Sequence, residues 1–182
     1  MQGVLELAFM DINLKNQLLE KKTAILKKWF DAVADTYPDN TSSFLKKKKA
    51  QFTNPVGYNL AEGLEGLFEA LLQGVILDKV SAFLDSIIRI RSIQEFTPSE
   101  AVAFVFQLKK IVRQELGSDV LQQQRMIEEL AAFDAAIDDL ALFSFDIYMK
   151  CREKIYELKA NEARSMTFRL LQQAKLIVDD QD

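Results

Sequence analysis

Cys151 is followed by Arg152 and has Lys150 and Lys154 close by, a setting in which a thiol can lose its proton and act as a nucleophile. Asp134, Asp138 and Asp139, with Glu128 and Glu129 shortly before them, offer the carboxylates that a di-metal site uses. Arg89 and Arg91 add guanidinium groups of the kind that bind carboxylates and phosphates. None of these clusters is completed by a partner. The chain has no histidine, which removes the commonest general base, the commonest metal ligand and the usual proximal haem ligand together. The acidic cluster has no matching second cluster, and its spacing is not that of a Ca²⁺ loop. The glycines form no phosphate-cradling GxGxxG or GxxxxGK pattern. The expectation is therefore a protein that is not an enzyme and holds no cofactor or metal. Cys151 is expected to be a packing residue and the acids a solvated face.

With 49% apolar and 27% charged residues, the 182-residue chain has the composition of one globular domain with a sizeable core. Three prolines and six glycines are few, so long helices are favoured over strands and turns, and the fold class is all-α. A net charge of −4 gives no reason to expect nucleic acid. The run Lys46 to Lys49 is the local exception. It reads as a solvated helix face, with attraction to an anionic partner or membrane as the alternative. The single cysteine rules out an intramolecular disulfide. The opening MQGVLELAFM has no basic n-region, carries Glu6, and is too short to span a bilayer. A cytoplasmic protein without membrane insertion is expected.

The elements that would position these residues follow from periodicity and breakers. Leu14, Leu18, Ile25, Trp29 and Val33 predict one helix from about Asp11 to Tyr37, ended by Pro38. A short helix capped at Thr41 or Ser42 would run to about Phe52, and Asn54-Pro55-Val56-Gly57 would break the chain again. Leu60, Leu64, Leu67, Phe68, Leu71 and Leu72 stripe a third helix, Tyr58 to Val75, whose Gly63, Gly66 and Gly74 suggest close helix packing or a kink. A fourth, Leu77 to Phe96, places Arg89 and Arg91 about 200° apart, so at least one must face solvent. Thr97, Pro98 and Glu100 are the signature of a helix start, with an N-cap, an N1 proline and a capping-box acid. That fifth helix runs to Leu116, is apolar on nearly all sides, and stops at Gly117. From Ser118 onward there is no glycine or proline. A helix from Asp119 to about Lys159 would be roughly 60 Å long and must bend or project. Ile137, Leu140, Ser144, Tyr148, Cys151, Ile155 and Leu158 keep three- and four-residue spacing along it, which predicts a seam facing a partner or second copy.

ILKKWFDAVADTYP, FTNPVGYNLAEGLEGLFEALL, IIRIRSIQEFTPSEAVAFVFQLKKIVRQEL and YMKCREKIYELKANEARS together resemble the N-terminal domain of RsbRD-type RsbT co-antagonist proteins. The match is most specific at Arg89-Ile-Arg, Phe96-Thr-Pro-Ser-Glu-Ala, Asn54-Pro-Val-Gly and Cys151-Arg-Glu-Lys. The resemblance implies a haem-free, globin-like sensory domain of about six helices with a long C-terminal helix. It also implies dimerisation through the terminal helices and a role in stress-response signalling. In better-known members a STAS domain follows and carries phosphorylated threonines. The sequence given ends about seventeen residues past the resembling stretch, so control of an RsbT-like kinase is not carried over. Residues 1–13 then read as an N-terminal extension, 14–160 as the sensory domain and 161–182 as a helical tail.

The leading functional expectation is a stand-alone, non-catalytic sensory or adaptor domain, a homodimer acting on an unidentified signalling protein. Arg89, Arg91 and Arg152 are the candidate contact or sensing residues, with salt bridges at helix ends as the plainer alternative. Two other readings stay open. One is an accessory subunit of a redox or respiratory complex. The other is a carrier of a small apolar ligand held among the phenylalanines from Phe83 to Phe106.

Overall fold

The computed structural model describes residues 12–47, 54–74, 77–94, 96–118 and 123–174. Every regular element among them is an α-helix: α1 (Ile12–Glu20), α2 (Lys22–Ala34), α3 (Asp39–Lys47), α4 (Pro55–Gln73), α5 (Leu77–Ile93), α6 (Pro98–Leu116) and α7 (Gln124–Gln173). The all-α class and the long C-terminal helix are as expected. The single first helix is not, because it splits at Lys21, whose φ and ψ of −97° and 4° leave the helical basin. The break lets Leu14 and Leu18 on α1 and Ile25 and Trp29 on α2 all reach zero exposure.

The core is enclosed by a ring of packed helices in the spatial order α2, α4, α5, α7, α6 and back to α2. Helix α1 lies against α7, α2 and α6, while α3 covers the junction of α2 and α4. Burying a leucine-sized side chain contributes about 1.5–3 kcal/mol, and Leu64, Leu67, Leu84, Ile88, Val105 and Leu108 are all buried in this ring.

Local chemistry sets the helix starts. Thr97 Oγ1 accepts from Glu100 N, and the Glu100 carboxylate accepts from Thr97 N at 2.9 Å, so the predicted capping box is complete. Asn54 does more than break the chain. Its Oδ1 accepts from Gly57 N at 2.8 Å, while its Nδ2 donates to the carbonyls of Phe44 and Leu45. It thus begins α4 three residues before the expected Tyr58 and ties that start to α3. Helix α3 itself begins at Asp39, ahead of the expected cap at Thr41 or Ser42.

Gly63 and Gly66 mark the close approach of α4 and α5 that their presence in a helix suggested. A Cβ on Gly63 would lie 3.0 Å from Ile87 Cδ1, and one on Gly66 would clash with the ring of Phe83. Gly74 and Gly117 instead sit at helix ends with φ of 73° and 78°, the left-handed region that favours glycine.

Polar groups fasten the remaining contacts. Trp29 Nε1 donates to the Phe104 carbonyl at 2.7 Å, and the two rings stack. Leu14 N, in the first turn of α1, donates to Glu129 on α7 at 2.8 Å. A carboxylate from a distant helix thereby caps an N-terminus whose N–H groups have no partner within their own helix. On the surface, Lys22 bridges to Glu65 and Glu69, which hold its ammonium above its ordinary pKa.

Candidate functional site

Arg89, Arg91 and Arg152 have three different fates. Arg89 is exposed and pairs with Asp85 one turn back on α5 at 2.7 Å. Arg91 is fully buried. The two side chains diverge as their spacing requires, so they form no shared pocket.

Arg91 Nε donates to the Ala101 carbonyl, Nη2 to the Glu100 carbonyl and Nη1 to Thr36 Oγ1, all within 3.1 Å. Its guanidinium carbon lies 4.1 Å from the centre of the Phe96 ring and 5.2 Å from that of Tyr37. These contacts lock the α5–α6 turn to the end of α2. Burial pulls the guanidinium down from its ordinary pKa and pushes the Tyr37 hydroxyl up. Arg91 is therefore a structural centre. Its position was legible, because Leu84, Ile87, Ile88 and Arg91 follow the spacing of a core-facing stripe.

Arg152 joins the same turn from the other side. Its Nη1 donates to the Ser92 carbonyl at 3.0 Å and its Nη2 to the Tyr156 hydroxyl at 2.7 Å, which holds its pKa up. Ser92 lies in the last turn of α5, where carbonyls lack helical partners. Tyr148 adds a bond from its hydroxyl to the Phe96 carbonyl at 2.9 Å. Between the turn and α7 lies a groove of about 600 Å³, with Phe96, Tyr148, Arg152, Tyr156 and Lys159 among its walls. A second groove of about 650 Å³ lies by Tyr37 and Glu100 and shares Gln94 and Phe96 with the first.

The remaining chemical candidates are engaged elsewhere. Asp134 pairs with Arg113 and Asp138 with Lys109, both linking α6 to α7. Cys151 is half-buried against the core. Lys46 binds Asp35 at 2.5 Å, lowering that carboxyl's pKa, whereas Lys48 and Lys49 lie outside the described residues. Of the four phenylalanines expected to hold an apolar ligand, Phe96 and Phe104 both flank the Arg91 guanidinium, and Phe83 and Phe106 lie apart from them. Phe83 covers Gly66, Phe104 also stacks on Trp29, and Phe106 is exposed on the outer side of α6.

The expected seam divides in two. Ile137, Leu140, Ser144 and Tyr148 are buried in this chain's own body, so that half does not face a partner. Three- and four-residue spacing is the same whether a helix packs on its own core or on a second chain. Cys151 and Ile155 are half-buried, and Leu158 is exposed. Beyond them, every residue from Tyr156 to Leu170 is exposed, about 22 Å of helix at 1.5 Å per residue. Exposed apolar residues Leu142, Phe145, Met149, Tyr156, Met166 and Leu170 fall on one alternating three-four register. Arg152, Lys159 and Ala163 complete it. This outer stripe runs from the body onto the projecting arm; Met166 and Leu170 are legible in the sequence as a narrow stripe, whereas the body half is hidden beside an inner stripe stronger in apolar residues.

No helix among the described residues is long and apolar enough to cross a membrane. The family model described as the RsbT co-antagonist protein rsbRD N-terminal domain matches residues 23–163. No curated protein and no solved structure matches the chain. With most of its length matched, the chain belongs to the RsbRD N-terminal domain family, a signalling-related domain of the stress-response partner-switching system.

Proposed function

We propose that this chain is a non-catalytic sensory and adaptor domain that pairs with a second copy, and engages its signalling partner, through the outer face of α7. The observation that carries this reading is the apolar register from Leu142 to Leu170, exposed on the body and on the arm beyond it. Two α-helices bury such a stripe against each other when it repeats every 3.5 residues. The polar members Arg152 and Lys159 fix register at a cost in stability, as polar residues in such seams do. The ring of helices supplies a body to which Arg152 and Tyr148 fasten the base of the arm. A change at the α5–α6 turn is thereby felt where the arm leaves the body.

Capture of interacting proteins by the tagged full chain, with the Met166→Glu/Leu170→Glu variant as control, tests the adaptor part. A kinase, phosphatase or STAS-domain protein held by the native chain and lost in the variant is the expected result. Equal capture by both chains would remove the arm from partner binding.

A further inference from the structure

We propose that the two copies pair antiparallel, so that the projecting arm of each lies along the outer face of α7 on the body of the other. This orientation rests on the pairing proposed above and goes beyond it. The outer stripe has three parts. Leu142, Phe145 and Met149 are its apolar members on the body, and Ala163, Met166 and Leu170 those on the arm. Arg152, Tyr156 and Lys159 stand between them.

Charge along α7 sets the direction. From Gln124 to Met149 the helix carries six carboxylates and one arginine, whereas from Lys150 to Gln173 it carries six lysines and arginines and three glutamates. Asp134 and Asp138 are paired with α6. Asp139 and Asp146 have no ion pair among the described residues, nor have Lys159, Arg164 and Arg169 on the arm. A parallel pair sets acidic half on acidic half and basic half on basic half, whereas an antiparallel pair sets opposite charges side by side. Complementary charge of this kind selects one arrangement against another that buries similar apolar surface.

The members of the stripe favour the same direction. In a parallel pair in register, Arg152 faces Arg152 of the second copy and Lys159 faces Lys159. Turning one helix end for end about the midpoint between Tyr156 and Lys159 removes both juxtapositions. Lys159 then faces the Tyr156 ring of the second copy, a cation–π pairing. Arg152 faces Ala163, whose small side chain leaves room for the guanidinium held at Ser92 and Tyr156. Met149 meets Met166 and Phe145 meets Leu170, so each arm covers apolar surface that the other body exposes.

The test places a spin label at Gln173→Cys in the full chain, with Cys151→Ser removing the native thiol, and reads the label-to-label distance in the dimer by double electron–electron resonance. At 1.5 Å per residue the antiparallel pair holds the labels about 45 Å apart. A parallel pair would hold them within the width of two helices, about 20 Å. The sign of a charge change gives a second reading. Arg164→Glu/Arg169→Glu, with both residues on the exposed arm, should weaken the antiparallel dimer about tenfold. In a parallel dimer, where those arginines lie among other bases, the same change would tighten it. A short distance, or a dimer tightened by the charge change, overturns the orientation and leaves the pairing standing. A chain that is monomeric by mass overturns both.

Discussion

Arg152 on α7 donates from Nη1 to the Ser92 carbonyl on α5 at 3.0 Å, and this bond ties the base of the projecting arm to the last turn of a core helix. On the far side of the same turn, Arg91 reaches from α5 to the Glu100 and Ala101 carbonyls of α6 and to Thr36 beyond α2. The α5–α6 turn is thus held from two sides by two guanidinium groups, one buried and one at the surface.

Arg91 carries its charge into the core with backbone carbonyls, a hydroxyl and aromatic rings as partners. Substitution Arg91→Lys keeps the charge but cannot reproduce the planar fork, whereas Arg91→Met removes the charge and keeps much of the volume. Burying an incompletely paired ammonium costs more than losing the pair altogether. Chemical denaturation should place Arg91→Lys below Arg91→Met by about 1 kcal/mol or more. The reverse order would show that charge, rather than geometry, is what the site needs.

Gly66 is required by Phe83. In the native background Gly66→Ala must push the ring off α4, and the lost packing outweighs the helix propensity gained, for a net cost of about 1 kcal/mol. With Phe83→Ala already in place the same substitution should stabilise the protein by about 1 kcal/mol. A double-mutant cycle by urea denaturation reads the change of sign, and equal effects in both backgrounds would deny the contact.

The capping box has a pH signature. Glu100's carboxyl is held below its ordinary 4.5 by the Thr97 backbone N–H first and the Thr97 hydroxyl second. The folded protein therefore takes up that proton less readily than the unfolded chain. Its contribution is complete above pH 4.5 and is lost as pH falls through the folded-state value. Melting temperatures across the acid range should fall less steeply for Glu100→Gln than for the native chain. Parallel curves would mean that the carboxylate adds nothing a neutral acceptor does not. Tyr37, raised by burial above 10.0, works in the opposite direction. Its contribution is complete below pH 10.0 and is lost as pH rises through the folded value.

What could be read from the sequence was local chemistry. Thr97, Pro98 and Glu100 fixed the start of α6, and Gly117 its end, because capping depends on residues a few positions apart. The break at Lys21 carried no such mark: no glycine or proline stands near it, and the docking of α1 on α7 decides it, with Glu129 supplying a cap from a distant helix. The burial of Arg91 was present in its spacing but masked by its charge. The inner seam of α7 had the right period and the wrong partner, since periodicity marks a buried face without saying which chain buries it. The groove by Arg152 joins α5, the α5–α6 turn and α7, a juxtaposition that no single stretch of sequence contains.

Sedimentation equilibrium of the full chain reads whether the outer stripe of α7 pairs two copies. A mass of twice 20.8 kDa at micromolar concentration is expected. Met166→Glu/Leu170→Glu should give a monomer of unchanged melting temperature, because both side chains are exposed in the single chain. A native chain that stays monomeric at about 100 µM, or a dimer that the double substitution leaves intact, would contradict that pairing.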